Sequence, residues 1–149
     1  MKSYHPLFIL LLFTSAASAD GLAAFTTDGC SLFPDGTLEH QSLWVHCCIR
    51  HDLAYWKGGT EQQRLEADQA LQQCVAQTGE PKIAQLMLAG ERVGGSPVSV
   101  MNYRWGYGWP LLRGHKELTA EETKEVQQQL KRFEVMVRGL YRELGLGVK

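Results

Sequence analysis

Apolar positions recur at helical spacing in four stretches of the chain, separated by segments rich in glycine and proline. The first runs from about Ser42 to Trp56, with Ser42 placed as an N-cap and Lys57-Gly58-Gly59 as the stop. On a helix, Trp44, Cys47, Cys48, His51 and Tyr55 fall on one face, and Asp52 sits about 100° round on the flank. Thr60 opens a second helix with Gln63 as its capping-box partner, continuing to about Gln77 and ending at Gly79. Its inward face is Leu65, Asp68, Leu71 and Val75, with Cys74 at the edge, so one carboxylate stands in an otherwise apolar stripe. Helices joined by so short a turn pack as antiparallel neighbours, which points Asp68 towards His51.

Pro81 predicts a third, shorter helix to about Ala89, with Ile83, Leu86 and Met87 inward. Residues 90 to 117 show no helical period and contain the run Tyr103-Arg104-Trp105-Gly106-Tyr107-Gly108-Trp109. An unstructured stretch of that length in a small domain is functional or wraps a core. The last pattern is the most regular: Thr119 and Glu122 form a capping box, and Val126, Leu130, Phe133, Val137, Leu140, Tyr141 and Leu144 line one stripe before Gly145. Upstream, residues 20 to 41 read as loop, with a turn at Pro34-Asp35-Gly36. The predicted fold class is all-α, with two antiparallel, disulfide-linked helices at its centre and a Gly/aromatic-rich loop beside them.

Composition narrows the setting. Lys2 and His5, the apolar run Leu7 to Phe13 and the small residues Ala17-Ser18-Ala19 have the order of a signal peptide over residues 1–19. The apolar run is too short to span a bilayer. Residues 20–149 then suffice for one domain with a modest core. The formal net charge is −1, and no basic run is present, which sets nucleic acid aside as a partner.

Four cysteines behind a signal peptide read as two disulfides in an oxidising compartment, secreted or periplasmic. A vicinal Cys47–Cys48 bridge would strain the backbone, so Cys30 and Cys74 each pair with one of the adjacent two. A zinc site built from the cysteines and His51 is the weaker reading, because side-by-side cysteines suit tetrahedral geometry poorly.

The candidate chemistry follows from the two facing helices. An aspartate that holds one ring nitrogen of a histidine leaves the other free as a base, the orienting logic of a catalytic His-Asp pair. Asp68 can do this for His51, which leaves Asp52 for another task. A carboxylate beside a loop carrying Asp28, Gly29 and Asp35 suits a hard, oxygen-seeking cation such as calcium.

Cys48-Ile-Arg50-His51-Asp52-Leu-Ala-Tyr55 resembles the active-site helix of secreted phospholipases A2, most nearly the small bacterial and fungal type. Thr27-Asp28-Gly29-Cys30-Ser-Leu-Phe-Pro34-Asp35 resembles the calcium loop of the bacterial members, and Asp68 with Cys74 matches the aspartate and cysteine spacing of the animal members. The resemblance covers residues 26 to 75. It implies His51 as general base, Asp68 as its orienting carboxylate, and Tyr55 hydrogen-bonding near Asp68. It implies Ca2+ held by Asp52, Asp28 and the Gly29 carbonyl, and disulfides Cys30–Cys48 and Cys47–Cys74. The implied reaction is calcium-dependent hydrolysis of the sn-2 ester of a phospholipid at a membrane or micelle surface.

The aromatic run then carries two readings: rings that cover the core, or Trp105, Tyr107 and Trp109 anchoring the protein at a lipid interface. Two other function classes fit the same scaffold, a catalytically inactive binding protein of this family and a disulfide-stabilised structural protein of the envelope. The joint presence of His51, Asp52, Asp68 and Tyr55 favours turnover, since an inert scaffold needs only its cysteines and its core.

Overall fold

A computed structural model describes residues 21–145; the predicted signal peptide lies outside the described residues. Four helices follow in order, α1 (Val45–Lys57), α2 (Glu61–Gln77), α3 (Pro81–Gly94) and α4 (Ala120–Glu143), with no strand among the described residues. The class is therefore all-α. No described helix is long and apolar enough to cross a membrane.

Helix α1 starts later than the apolar pattern suggests. Its N-cap is Trp44 without a side-chain cap, so the expected role of Ser42 is corrected. The chain before it is occupied with local turns: Leu43 N–H donates to His40 O, and Trp44 N–H reaches back to Asp35 O at 3.0 Å. These bonds hold residues 37 to 44 out of helical geometry. At the other end, Gly58 and Gly59 adopt positive φ of 66° and 139°, which turns the chain back.

Both capping boxes form as the sequence predicts, at Thr60/Gln63 and at Thr119/Glu122. Helix α2 returns antiparallel to α1, and three cross-links mark the register: the Cys47–Cys74 bridge, His51 to Asp68, and Tyr55 to Arg64. A second bridge, Cys30–Cys48, ties the preceding loop to α1. Closing loops in this way restricts the unfolded chain and contributes on the order of 2–4 kcal/mol per bridge.

Helix α3 packs on α2 and runs to Gly94, beyond the expected end near Ala89. The extension has a tertiary cause: Arg64 Nη2 on α2 donates to the carbonyls of Glu91 (2.7 Å) and Arg92 (3.2 Å), completing the final turn of α3 from outside. Ala84 and Met87 are its buried residues, and Leu86 is 58% exposed, which corrects its predicted inward role.

The core has two parts. One gathers Trp44, Leu71, Val75, Ala84 and Met87 around the bridges; the other gathers Leu22, Trp56, Trp109 and Val126. Helix α4 joins only the second part. Of its predicted stripe only Val126 is buried; Leu130 and Val137 are half-buried and the remainder is exposed.

Residues 95–118 contain no helix or strand but are held tightly. Trp105 and Trp109 are 2% and 4% exposed, and their indole N–H groups donate to the carbonyls of Gly59 (3.0 Å) and Lys57 (2.7 Å). Tyr107 is half-buried, with its hydroxyl donating to Thr26 O at 2.6 Å. Burial and internal hydrogen bonds take the Trp105 and Trp109 rings away from the surface and favour the core-covering reading for them, while Tyr107 keeps part of its ring at the surface. The two indoles close the end of α1.

Candidate active site

The α1 face carrying Cys47, Cys48, His51 and Tyr55 is buried along its whole length. The antiparallel register set by Cys47–Cys74 brings Asp68 of α2 opposite His51. Asp68 is fully buried, and its Oδ1 lies 3.0 Å from His51 Nε2 while accepting the Tyr55 hydroxyl at 2.7 Å. Its other oxygen, Oδ2, accepts from Arg92 Nη1 at 2.7 Å. Burial pushes the Asp68 carboxyl up, but the hydrogen bonds from His51, Tyr55 and Arg92 outweigh it and hold the pKa below the ordinary value.

An ionised carboxylate only accepts, so Nε2 carries the proton in neutral His51 and Nδ1 is the lone-pair nitrogen. No described residue bonds Nδ1, and the one fully buried, unpartnered side-chain nitrogen or oxygen among the described residues is Arg113 Nε. The Tyr55 ring stacks tilted on His51 at 4.2 Å between centroids, and Trp105 meets Tyr55 edge-on at 5.0 Å. The imidazole is fixed in orientation on two sides.

Three groups complete the site that sequence reasoning did not assign. Arg92 anchors Asp68; Arg64 Nε donates to the Tyr55 hydroxyl at 3.1 Å; and Glu91 places a carboxylate oxygen within 4.8 Å of His51 and Asp68 ligand atoms. Burial raises the pKa of Glu91, with the His51 and Arg64 charges opposing and Asp68 adding. Arg64 was discoverable, because it stands one helical turn before Asp68 on the same buried stripe. Arg92 and Glu91 lay in a segment read as loop, where no periodicity pointed inward. Gly95 has a comparable hidden role: a Cβ there would collide with the Tyr55 hydroxyl.

Asp52 occupies the flank and is 5% exposed. Its Oδ2 accepts from Thr27 Oγ1 at 2.7 Å, and Thr27 Oγ1 in turn accepts from Gly29 N–H at 3.2 Å. No cation pairs with Asp52 among the described residues. Burial pushes its pKa up to about 7; the Thr27 hydrogen bond and His51 oppose this, and the Asp28 and Glu91 charges add to it.

The Cys30–Cys48 bridge holds the 27–35 loop against this carboxylate. Within the loop, Gly29 has φ of 80° and leaves room for Asp35, whose Oδ1 accepts Cys30 N–H at 2.8 Å. Asp35 is therefore a loop-shaping residue. Asp28 is exposed and accepts from Ser31 Oγ at 2.9 Å.

The donors around Asp52 suit a hard divalent cation. Asp52 and Asp28, whose charges act on each other, offer oxygen only, and every cysteine among the described residues is committed to a bridge. A buried carboxylate with a single neutral hydrogen-bond partner is an expensive group that a cation would neutralise. His46, Cys47 and Cys74 also cluster, but both sulfurs are bridged, which removes the zinc reading. A cleft of about 480 Å3 lined by Ala54, Gln63, Ala67, Trp105 and Leu118 includes none of His51, Asp52 and Asp68.

No family model, no curated protein and no solved structure matches this chain.

Proposed function

We propose that this chain is a calcium-dependent hydrolase of phospholipid sn-2 esters, of the phospholipase A2 type in fold and mechanism, working outside the cytoplasm. The observation that carries the reading is the buried, fully oriented His51–Asp68 pair beside a second buried carboxylate, Asp52, that lacks any protein cation. A scaffold kept only for its bridges has no use for either.

In this reading, His51 Nδ1 takes a proton from a water molecule as the water oxygen attacks the ester carbonyl carbon. Asp68 stabilises the imidazolium so formed through Nε2–H, and Tyr55 and Arg92 keep Asp68 in place. The proton then passes from Nδ1 to the leaving alkoxide, giving a fatty acid and a lysophospholipid. Asp52, Asp28 and the Gly29 carbonyl would hold calcium, which when bound supplies positive charge to a carbonyl oxygen becoming an oxyanion. No side-chain nucleophile is needed, in keeping with the absence of free cysteine among the described residues.

The test is release of fatty acid from a phospholipid by the purified protein, in calcium and in chelator, beside His51→Gln. Activity that survives both chelator and mutation refutes the mechanism. Calcium binding without hydrolysis of any phospholipid would favour an inert binding protein on the same scaffold.

A further inference from the structure

Helix α4 changes character along its length. Its first part is acidic, with Glu121, Glu122 and Glu125 against Lys124, and it is tied to the body of the protein. Arg113 grips Glu122 through two nitrogens, Glu125 accepts Leu22 N–H at 3.0 Å, and Val126 enters the core. The ring of Phe133 meets Phe25 edge-on at 5.7 Å, and beyond that point no described hydrogen bond or ring contact ties α4 to the body.

The apolar stripe nevertheless continues. Phe133, Leu140, Tyr141 and Leu144 are 42, 52, 41 and 61% exposed, and Met136 on the stripe's border is 62% exposed. Over residues 131–144, Lys131, Arg132, Arg138 and Arg142 outnumber Glu134 and Glu143 by two, so the helix turns basic one turn after Val126, where its side chains leave the core. On the helical wheel, Lys131, Arg138 and Arg142 lie on the side away from Leu144 and Phe133. Arg138 is partly engaged with Glu134, one turn back, at 2.7 Å; Arg132 and Arg142 have no acidic partner among the described residues.

We infer that the second half of α4, from Lys131 to Leu144, is a docking element for anionic lipid surfaces. An amphipathic helix with a basic polar face and modest overall hydrophobicity lies in the headgroup plane, apolar side down. Its exposed apolar residues gain by leaving water, and its arginines gain from the negative surface potential. A second copy of the chain is the poorer occupant, because pairing two such segments brings two net positive charges beside two more. The inference stands on α4 alone and does not require that the His51 site turn over.

The experiment is sedimentation of the full chain with phosphatidylglycerol vesicles and with phosphatidylcholine vesicles, in chelator. Wild type should co-sediment with the anionic vesicles and less with the zwitterionic ones. The double variant Leu140→Glu/Leu144→Glu should lose at least about tenfold in partitioning on both. Arg132→Gln/Arg142→Gln should lose roughly tenfold or more on phosphatidylglycerol alone. Circular dichroism and melting should be unchanged in both, since none of these side chains joins the core.

Partitioning unaffected by either variant overturns the inference, as does failure of wild type to bind either vesicle. A concentration-dependent dimer that Leu140→Glu/Leu144→Glu dissociates, with vesicle binding unchanged, also overturns it and assigns the face to a second copy. The His51 reading is separated by a short-chain phospholipid dispersed as monomers. Hydrolysis of that substrate should be equal in wild type and both variants. Its absence throughout, with vesicle binding lost only in the variants, would sink the hydrolase and leave the docking helix standing.

Discussion

Substituting Asp52 by Asn tests the most unusual group in the molecule. The carboxylate is buried with one hydroxyl donor, and burial lifts its pKa from 3.8 to about 7. The folded pKa therefore exceeds the unfolded value, so between about pH 4 and pH 7 the folded state binds more protons than the unfolded one. Stability contributed by this group accordingly falls as pH rises through that window. Each pH unit there costs about 1.4 kcal/mol, so moving from pH 5 to pH 8 should destabilise the metal-free protein by roughly 2–3 kcal/mol.

Asp52→Asn removes the charge while keeping a group that can accept from Thr27. In chelator at pH 8 the variant should be the more stable protein, by up to roughly 10 °C in melting temperature; at pH 5 the two should nearly converge. Calcium at about one hundred times its Kd should then stabilise wild type by about 2.7 kcal/mol and leave Asp52→Asn unmoved. Thermal melts at the two pH values, with calcium and with chelator, read all of this. A variant no more stable than wild type at pH 8 in chelator would refute the claim that an uncompensated charge is buried there.

Other expectations follow from the same geometry. His51→Gln should leave the melting temperature close to wild type and lower phospholipid hydrolysis by about 10²–10⁴-fold. Arg92→Leu removes the partner of Asp68 Oδ2; because Arg92 is one-third exposed the stability loss should be modest, about 1–2 kcal/mol by urea unfolding, while the acid limb of the rate profile moves. Paired replacement of Cys47 and Cys74 by Ser should cost about 2–5 kcal/mol and loosen His51 with it, measurable as a lower urea midpoint and reduced activity together. Intrinsic tryptophan fluorescence should show no blue shift on vesicle addition, because Trp44, Trp56, Trp105 and Trp109 are all buried in the body; a marked shift would reopen the aromatic loop as a lipid anchor.

The sequence by itself determined what is local. Helical periodicity located four helices, and the caps at Thr60/Gln63 and Thr119/Glu122 marked two starts, because those signals are hydrogen bonds spanning only a few residues. The short glycine turn after α1 makes α1 and α2 antiparallel neighbours, which by itself points Asp68 towards His51. Where local and distant bonds compete, the sequence reading failed. Ser42 lost its cap to turns anchored on Asp35, and α3 outran its apolar pattern because Arg64 satisfies its last carbonyls.

Tertiary structure alone decided which groups share a space. It bore out the Cys30–Cys48 and Cys47–Cys74 pairing that spacing alone left open and only the family resemblance implied, brought Arg92 and Glu91 to the His51 site, and buried Trp105 and Trp109 against the end of α1. It also decided that the stripe of α4, continuous in sequence from Val126 to Leu144, is core at one end and open surface at the other. A stripe states only that a helix has a side averse to water. What covers that side depends on how far the rest of the chain extends, and here the body ends at Phe25 and Phe133.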